Sequence, residues 1–129
     1  MKNLIPLSIL LLLLSYFATA QNTVKISKEG EKVLGLVAKL PEVITADKYV
    51  QKVTKGKRHL FRYLASEPTK EEPYYDVKVA EDNGSAYHTH FIFHVQPKTH
   101  KIFYMDTATG KLLPEEQCRE KLMQNYTIK

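Results

Sequence analysis

Residues 74–96 read YYDVKVAEDNGSAYHTHFIFHVQ, and this stretch decides the fold of the chain. Apolar and polar residues alternate on both sides of Asn83-Gly84, which is the pattern of half-buried β-strands. Asn-Gly is the strongest short-range hairpin signal, because both residues tolerate the positive φ that a tight turn requires. The stretch therefore predicts two antiparallel strands, 74–80 and 87–96, joined by a hairpin.

The segments around this hairpin extend the sheet. Residues 59–65 (HLFRYLA) and 101–106 (KIFYMD) also alternate, and residues 111–113 (KLL) follow another turn. The expected order is α-α-β-β-β-β-α, with the last β element short. The expected class is α+β, with the helices packed on one face of a four-stranded antiparallel sheet.

Helical periodicity precedes and follows the strands. Ser27 is a suitable N-cap for a helix that Pro41 ends, and a second helix is predicted over 46–55. Pro114 suits the first turn of a short C-terminal helix. Gly35, in the middle of the first helix, predicts a close approach of that helix to a strand.

The N-terminus has the pattern of a signal peptide. Lys2 supplies a positive charge, and the apolar run that follows is shorter than the about 20 residues of a bilayer span. Small residues at 18–20 (ATA) predict cleavage between Ala20 and Gln21. We expect residues 21–129 to form one periplasmic or secreted domain without a stable membrane anchor.

The charge balance argues against a nucleic-acid partner. The chain has 19 Lys and Arg against 14 Asp and Glu, a formal charge of +5 that falls to +4 without Lys2. A nucleic-acid surface needs clustered basic residues with interleaved aromatic side chains, and the one tight basic group, Lys52 to Arg58, is explained by a solvated helix end. Cys118 is the single cysteine, so no intramolecular disulfide forms, and we expect a packed thiol in the last helix.

Three segments resemble the PepSY-like and cystatin-like modules of exported bacterial proteins: 75–79 (YDVKV), 95–99 (VQPKT) and 104–113 (YMDTATGKLL). The last is similar to the aromatic, Asp, Thr-Gly-Lys, aliphatic ending of such repeats. The resemblance, which covers Tyr74 to Leu113, implies a binding or inhibitory module of the cell envelope. His100 departs from it by standing where a turn glycine is usual. The inhibitory motifs of eukaryotic cystatins are missing, so inhibition of cysteine proteases is not implied.

The histidines form the one unusual cluster. Strand alternation places His88, His90 and His94 on one face, and neighbours two apart lie about 7 Å apart at Cα, so His88 and His90 can share a metal ion. A third ligand would come from a neighbouring strand, and Asp76 and Asp106 are the candidates. The same row also fits the polar side of a half-buried strand, and both interpretations stay open.

Patterns typical of catalysis are missing from the sequence, including a phosphate-binding loop and the Gly-x-Ser-x-Gly and His-Glu-x-x-His motifs. The side chains of adjacent acids such as Glu115-Glu116 diverge, so we expect solvated charges there.

The alternation of side chains along the strands predicts core positions for Tyr75 and Tyr87 and leaves Tyr74 at the surface.

We therefore expect a non-enzymatic binding or inhibitory module that has no cofactor and recognises a protein or peptide partner through its sheet face. The predicted binding residues are Tyr74, His88, His90 and His94. One alternative is a metal-binding protein or metal-dependent enzyme that uses His88 and His90. Another is an immunity protein against an exported hydrolase.

Overall fold

A computed structural model describes residues 25–127, so the predicted signal peptide and its cleavage site lie outside the described residues. Over this range the chain forms three helices and five strands, which confirms the α+β class. The helices are α1 (Lys28–Ala38), α2 (Pro41–Val53) and α3 (Glu115–Gln124). The strands are β1 (Leu60–Ser66), β2 (Tyr75–Asp82), β3 (Tyr87–Val95), β4 (Ile102–Asp106) and β5 (Lys111–Pro114).

The strands lie in the sheet in their order along the chain, and each pairs antiparallel with the next. The described sheet has five strands, so the prediction of four was wrong. The difference is β5, in which Leu112 pairs with Met105 and Leu113 with Tyr104. A turn at residues 107–110 brings this short segment back along β4. Its backbone hydrogen bonds with β4 stabilise it as a strand although it is short.

The helices pack on one side of the sheet, which we call the helix side. Val33 and Val37 of α1 and Leu122 of α3 belong to one cluster of buried apolar residues. Each fully buried side chain of this size stabilises the fold by about 1.5–3 kcal/mol. The cluster also contains Leu40, the N-cap residue of α2, and residues of α2 and of the sheet, namely Val43, Ala46, Tyr75, Val77, Val79, Phe91, Phe93 and Val95.

The N-terminal helices follow the predicted signals with two differences. The Ser27 hydroxyl accepts a 3.0 Å hydrogen bond from the Gly30 N–H and so caps α1 as predicted. Pro41 begins α2 at once, so the second helix starts there and not at residue 46, because proline suits a first helical turn. The close approach lies at Gly30, where a Cβ would stand 2.7 Å from Leu64 Cδ1, whereas a Cβ at Gly35 meets no described atom within 4 Å.

A β-bulge in β3 changes which side chains lie on each side of the sheet. Val79 pairs with Phe91, but the next residue, Ala80, pairs with Thr89, so His90 is an extra residue in β3. An extra residue interrupts the alternation of side chains along a strand. Phe91 therefore keeps its predicted core position, while Thr89 and Tyr87 lie on the opposite side.

The turn between β3 and β4 explains the histidine at a glycine-like position. His100 has a left-handed backbone with φ of 56°, a conformation that costs a non-glycine residue about 1–3 kcal/mol. Its Nε2 pairs with the Glu29 carboxylate in the first turn of α1. This contact ties the turn to α1.

Among the helices of residues 25–127, none is long and apolar enough to cross a membrane.

Candidate functional site

The bulge at His90 separates the three histidines that the sequence placed in one row. Glu81 lies two residues beyond Val79 and pairs with His88, so His88 is on the helix side of the sheet. His94 pairs with Asp76 and lies on the opposite side. The prediction of a single row was therefore wrong, although His88 and His90 do come together, with ring centroids 5.0 Å apart.

Glu81 completes a cluster with these two histidines. One potential ligand atom from each of Glu81, His88 and His90 lies within 4.8 Å of the other two. The third ligands suggested by the sequence lie elsewhere. Asp76 Oδ1 is 3.9 Å from His94 Nε2, and the Asp106 carboxylate accepts hydrogen bonds within the turn between β4 and β5.

His90 is held at both ring nitrogens. Its Nδ1 lies 2.7 Å from the Tyr126 hydroxyl, and its Nε2 lies 2.9 Å from Glu81 Oε1. The side chains of His90 and Glu81 are only 10% and 12% exposed. The other carboxylate oxygen, Glu81 Oε2, lies 3.7 Å from Arg58 Nη1. Four side chains from β2, β3, the α2–β1 loop and the C-terminal segment thus meet at one end of the sheet.

The ionisation of this cluster follows from its contacts. The hydrogen bond with His90 lowers the pKa of Glu81, so that its carboxylate is ionised at neutral pH. Burial raises the pKa of Tyr126 to about 12, so its hydroxyl keeps its proton. The cluster therefore offers an anionic oxygen of the shielded Glu81, a ring nitrogen of the shielded His90 and a ring nitrogen of the exposed His88.

The side of the sheet away from the helices, which we call the open face, carries aromatic residues. The Phe61 ring lies 4.9 Å from the Tyr87 ring and 5.9 Å from the Tyr63 ring, centroid to centroid. Tyr87 is 61% exposed, so its predicted core position was wrong, whereas Tyr75 is buried as predicted. Within residues 25–127, no helix covers this face.

A second aromatic group lies on the same face, nearer to β4. The Tyr74 ring packs 5.7 Å from the His94 ring and 6.0 Å from the Phe103 ring. Lys101 Nζ stands 5.1 Å from the centre of Phe103. The open face therefore holds Tyr74 and His94 of the four predicted binding residues, and His88 and His90 lie on the helix side. The open face consists of Phe61, Tyr63, Tyr74, Asp76, Lys78, Ala80, Asp82, Tyr87, Thr89, Ile92, His94, Lys101, Phe103, Met105, Leu112 and Pro114.

A buried acid pair joins the beginnings of two helices. Glu42 lies in the first turn of α2 and is 0% exposed, and Glu115, the first residue of α3, is 4% exposed. Arg119 donates two hydrogen bonds to the Glu115 carboxylate, at 2.8 and 2.9 Å. Glu115 is therefore not the solvated charge that the sequence suggested.

The two acids of this pair differ in protonation. Burial, followed by the neighbouring Glu115, raises the pKa of Glu42 to about 8. Burial opposes ionisation of Glu115 as well, but the two hydrogen bonds from Arg119 outweigh it, and the pKa of Glu115 is lowered. The proton thus resides on Glu42, and the Glu115 charge is neutralised by Arg119. The two acids and Arg119 therefore have a structural role, which is to link the first turn of α2 to the first turn of α3.

Cys118 packs against the core cluster from α3. Burial and then the nearby Asp106 raise the pKa of its thiol, so the reactive thiolate is disfavoured. The packed thiol expected from the sequence agrees with this environment.

Comparisons of the chain with protein-family models, with curated proteins and with solved structures find no match. The PepSY-like and cystatin-like resemblance therefore stays a prediction, and the functional argument depends on the sites themselves.

Proposed function

We propose that this protein is a non-enzymatic binding module that docks an apolar surface of a protein partner onto its open face. The observation that supports this most directly is Tyr87, which is 61% exposed at the edge of an aromatic group with Phe61 and Tyr63. An antiparallel sheet with one solvated face normally carries polar side chains there. Tyrosine and phenylalanine are instead enriched in the cores of protein interfaces.

The charges on the open face favour an uncharged partner surface. The face carries two lysines, Lys78 and Lys101, and two aspartates, Asp76 and Asp82, so its charges balance. Attraction between the partners would come from burial of the aromatic rings, with the tyrosine hydroxyl groups available for hydrogen bonds.

The width of the face favours a folded protein over a short peptide. Five strands spaced about 4.8 Å apart give a surface about 19 Å across. A single extended peptide, which is about as wide as one strand, would leave most of this surface uncovered.

Two expectations from the sequence support the biological setting of this proposal. The signal-peptide pattern of residues 1–20 favours a periplasmic or secreted protein, whose partner would be met in the same compartment. The PepSY-like and cystatin-like resemblance favours a binding or inhibitory role. If the partner is an exported hydrolase, the same face would serve an immunity protein.

The test is retention of a partner by matched variants of the protein. The wild type, Tyr87→Ser and Val53→Ser would be immobilised and exposed to an extract of the cell envelope. Val53 is the control, because it is an apolar residue that is 56% exposed but lies on α2. We expect the wild type and Val53→Ser to retain the same protein, and the Kd for that purified partner to rise about 10-fold in Tyr87→Ser.

Two outcomes would contradict the proposal. Equal retention by Tyr87→Ser and the wild type would show that binding does not use the open face. A wild-type dimer that becomes a monomer in Tyr87→Ser, measured by analytical ultracentrifugation, would show that a second copy of the chain covers the face.

A further inference from the structure

We infer that Glu81, His88 and His90 form a binding site for a divalent first-row transition metal ion, with Zn²⁺ as the representative. The site lies on the helix side of the sheet and is independent of the open face. The inference stands on the convergence of three ligand-type atoms within 4.8 Å of one another.

The chemistry of the donors selects the class of ion. Two imidazole nitrogens and one carboxylate oxygen suit Zn²⁺ and its first-row neighbours, whereas Ca²⁺ and Mg²⁺ prefer shells made of oxygen. Three protein ligands also leave one position of a tetrahedral zinc ion open to water or another small ligand.

The three ligand atoms would have to move only a short distance to surround a zinc ion. Ligand atoms of a tetrahedral zinc ion, each 2.0–2.1 Å from the metal, lie about 3.3 Å from one another. His90 Nε2 and Glu81 Oε1 are already 2.9 Å apart. His88 is exposed, so its ring is the ligand with room to rotate inward.

The two shielded ligands are oriented by outer partners, as is usual for metal-binding histidines and carboxylates. In the metal-free protein Nε2–H donates to Glu81 Oε1, and a metal ion would replace that proton. A neutral His90 would then keep its proton on Nδ1, which can donate to the Tyr126 hydroxyl at 2.7 Å. Arg58 lies beside Glu81 Oε2, the oxygen that does not face His90. The guanidinium charge weakens cation binding, but its side chain is 42% exposed, so water screens that repulsion.

The bulge is what makes this arrangement possible. Without an extra residue at His90, alternation would turn that side chain away from the side on which Glu81 and Phe91 lie. With it, His88 and His90 lie on the same side as Glu81, and the His90 ring packs beside Tyr126 with centroids 5.7 Å apart.

The test is a zinc titration of the purified protein in competition with a chromophoric chelator. His88→Ala should lose more affinity than the about 10-fold that removal of an outer partner causes, and Tyr126→Phe should lose about 10-fold. His94→Ala is the matched control, because His94 belongs to the same strand but lies on the open face, and its affinity should equal that of the wild type. Circular dichroism would check the fold of each variant, with His88→Asn as a second substitution at the same place.

A second measurement identifies the ligands directly. Co²⁺ bound to the wild type should show visible absorption bands of a four- or five-coordinate site, and His88→Ala should lose them. The inference is overturned if the wild type binds Zn²⁺ no more tightly than His88→Ala does. It is equally overturned if His94→Ala and His88→Ala lose the same affinity, since that pattern indicates unspecific binding to surface histidines.

Discussion

His88 and His94 lie on opposite sides of the sheet, although both belong to β3 and their positions differ by an even number, six. Regular alternation would put them on the same side. The extra residue at His90 reverses the alternation, so His88 joins Glu81 on the helix side and His94 joins Asp76 on the open face. Strand β3 thereby contributes His88 to the cluster of potential metal ligands on the helix side and His94 to the aromatic group on the open face.

The contact between Glu81 and His90 should make stability depend on pH in the acid range. The pKa of Glu81 is below its ordinary value of 4.5 in the folded protein, so its contribution is present above pH 4.5 and is lost as the pH falls below it. We expect Glu81→Gln to lower the free energy of unfolding by about 1 kcal/mol at pH 7 and by less at pH 3. Urea denaturation at both pH values measures this, with Glu120→Gln as an exposed control. An equal loss at both pH values would contradict it.

Glu42 should produce the opposite dependence. Its pKa is raised from 4.5 to about 8 in the folded protein, so its contribution is fully present below pH 4.5 and declines as the pH rises toward 8. Glu42→Gln keeps a neutral, hydrogen-bonding side chain, so we expect the variant to be more stable than the wild type at pH 8 and to lose this decline. Thermal unfolding from pH 5 to pH 8 measures it, with Glu31→Gln as an exposed control. A parallel decline in Glu42→Gln and the wild type would show that Glu42 is already ionised.

The two glycines of α1 should respond differently to alanine. A Cβ at Gly35 meets no described atom within 4 Å, so Gly35→Ala should raise the free energy of unfolding by about 0.5–1 kcal/mol through helix propensity. A Cβ at Gly30 would stand 2.7 Å from Leu64 Cδ1 and 2.9 Å from Ile26 Cγ2, so Gly30→Ala should not gain this stability. Urea denaturation of both variants shows which of them has the larger free energy of unfolding. A larger gain for Gly30→Ala would contradict the close packing of α1 against β1.

The two sides of the sheet should differ in how much their aromatic residues stabilise the fold. Phe93 is 0% exposed in the core cluster, so Phe93→Ala should cost about 3–5 kcal/mol. Phe61 lies on the open face and is only partly buried, so Phe61→Ala should cost much less. Chemical denaturation of both variants makes the comparison. Equal losses would mean that the open face is packed in the free protein, which would argue against its role in docking.

Local signals in the sequence were sufficient for the elements themselves. Ser27 caps α1, Pro114 precedes α3, and the alternation on both sides of Asn83-Gly84 produces β2 and β3. These features depend on contacts between residues close together in the chain, so a single sequence contains them. Both Tyr74 and His94 were found among the open-face residues by the same alternation.

The register between strands was decided by the structure of the turn. The Asn83 N–H donates to the Ala86 carbonyl at 3.1 Å, and the Asn83 side-chain oxygen accepts from the Ser85 and Ala86 N–H groups. The loop therefore has four residues, 83–86, and positive φ occurs at Gly84 and not at Asn83. A two-residue turn would have paired Glu81 with Ala86, whereas the longer loop pairs it with His88.

The sequence by itself determined the class, the helices and four of the five strands, because period and capping are properties of short segments. Tertiary structure decided the bulge, the fifth strand and the partners of each charged side chain. His90 and Tyr126 are 36 residues apart, and the buried Glu42 and Glu115 come from α2 and α3. Such contacts depend on how whole elements pack, and an alternating pattern of residue types is the same whether or not a strand contains one extra residue.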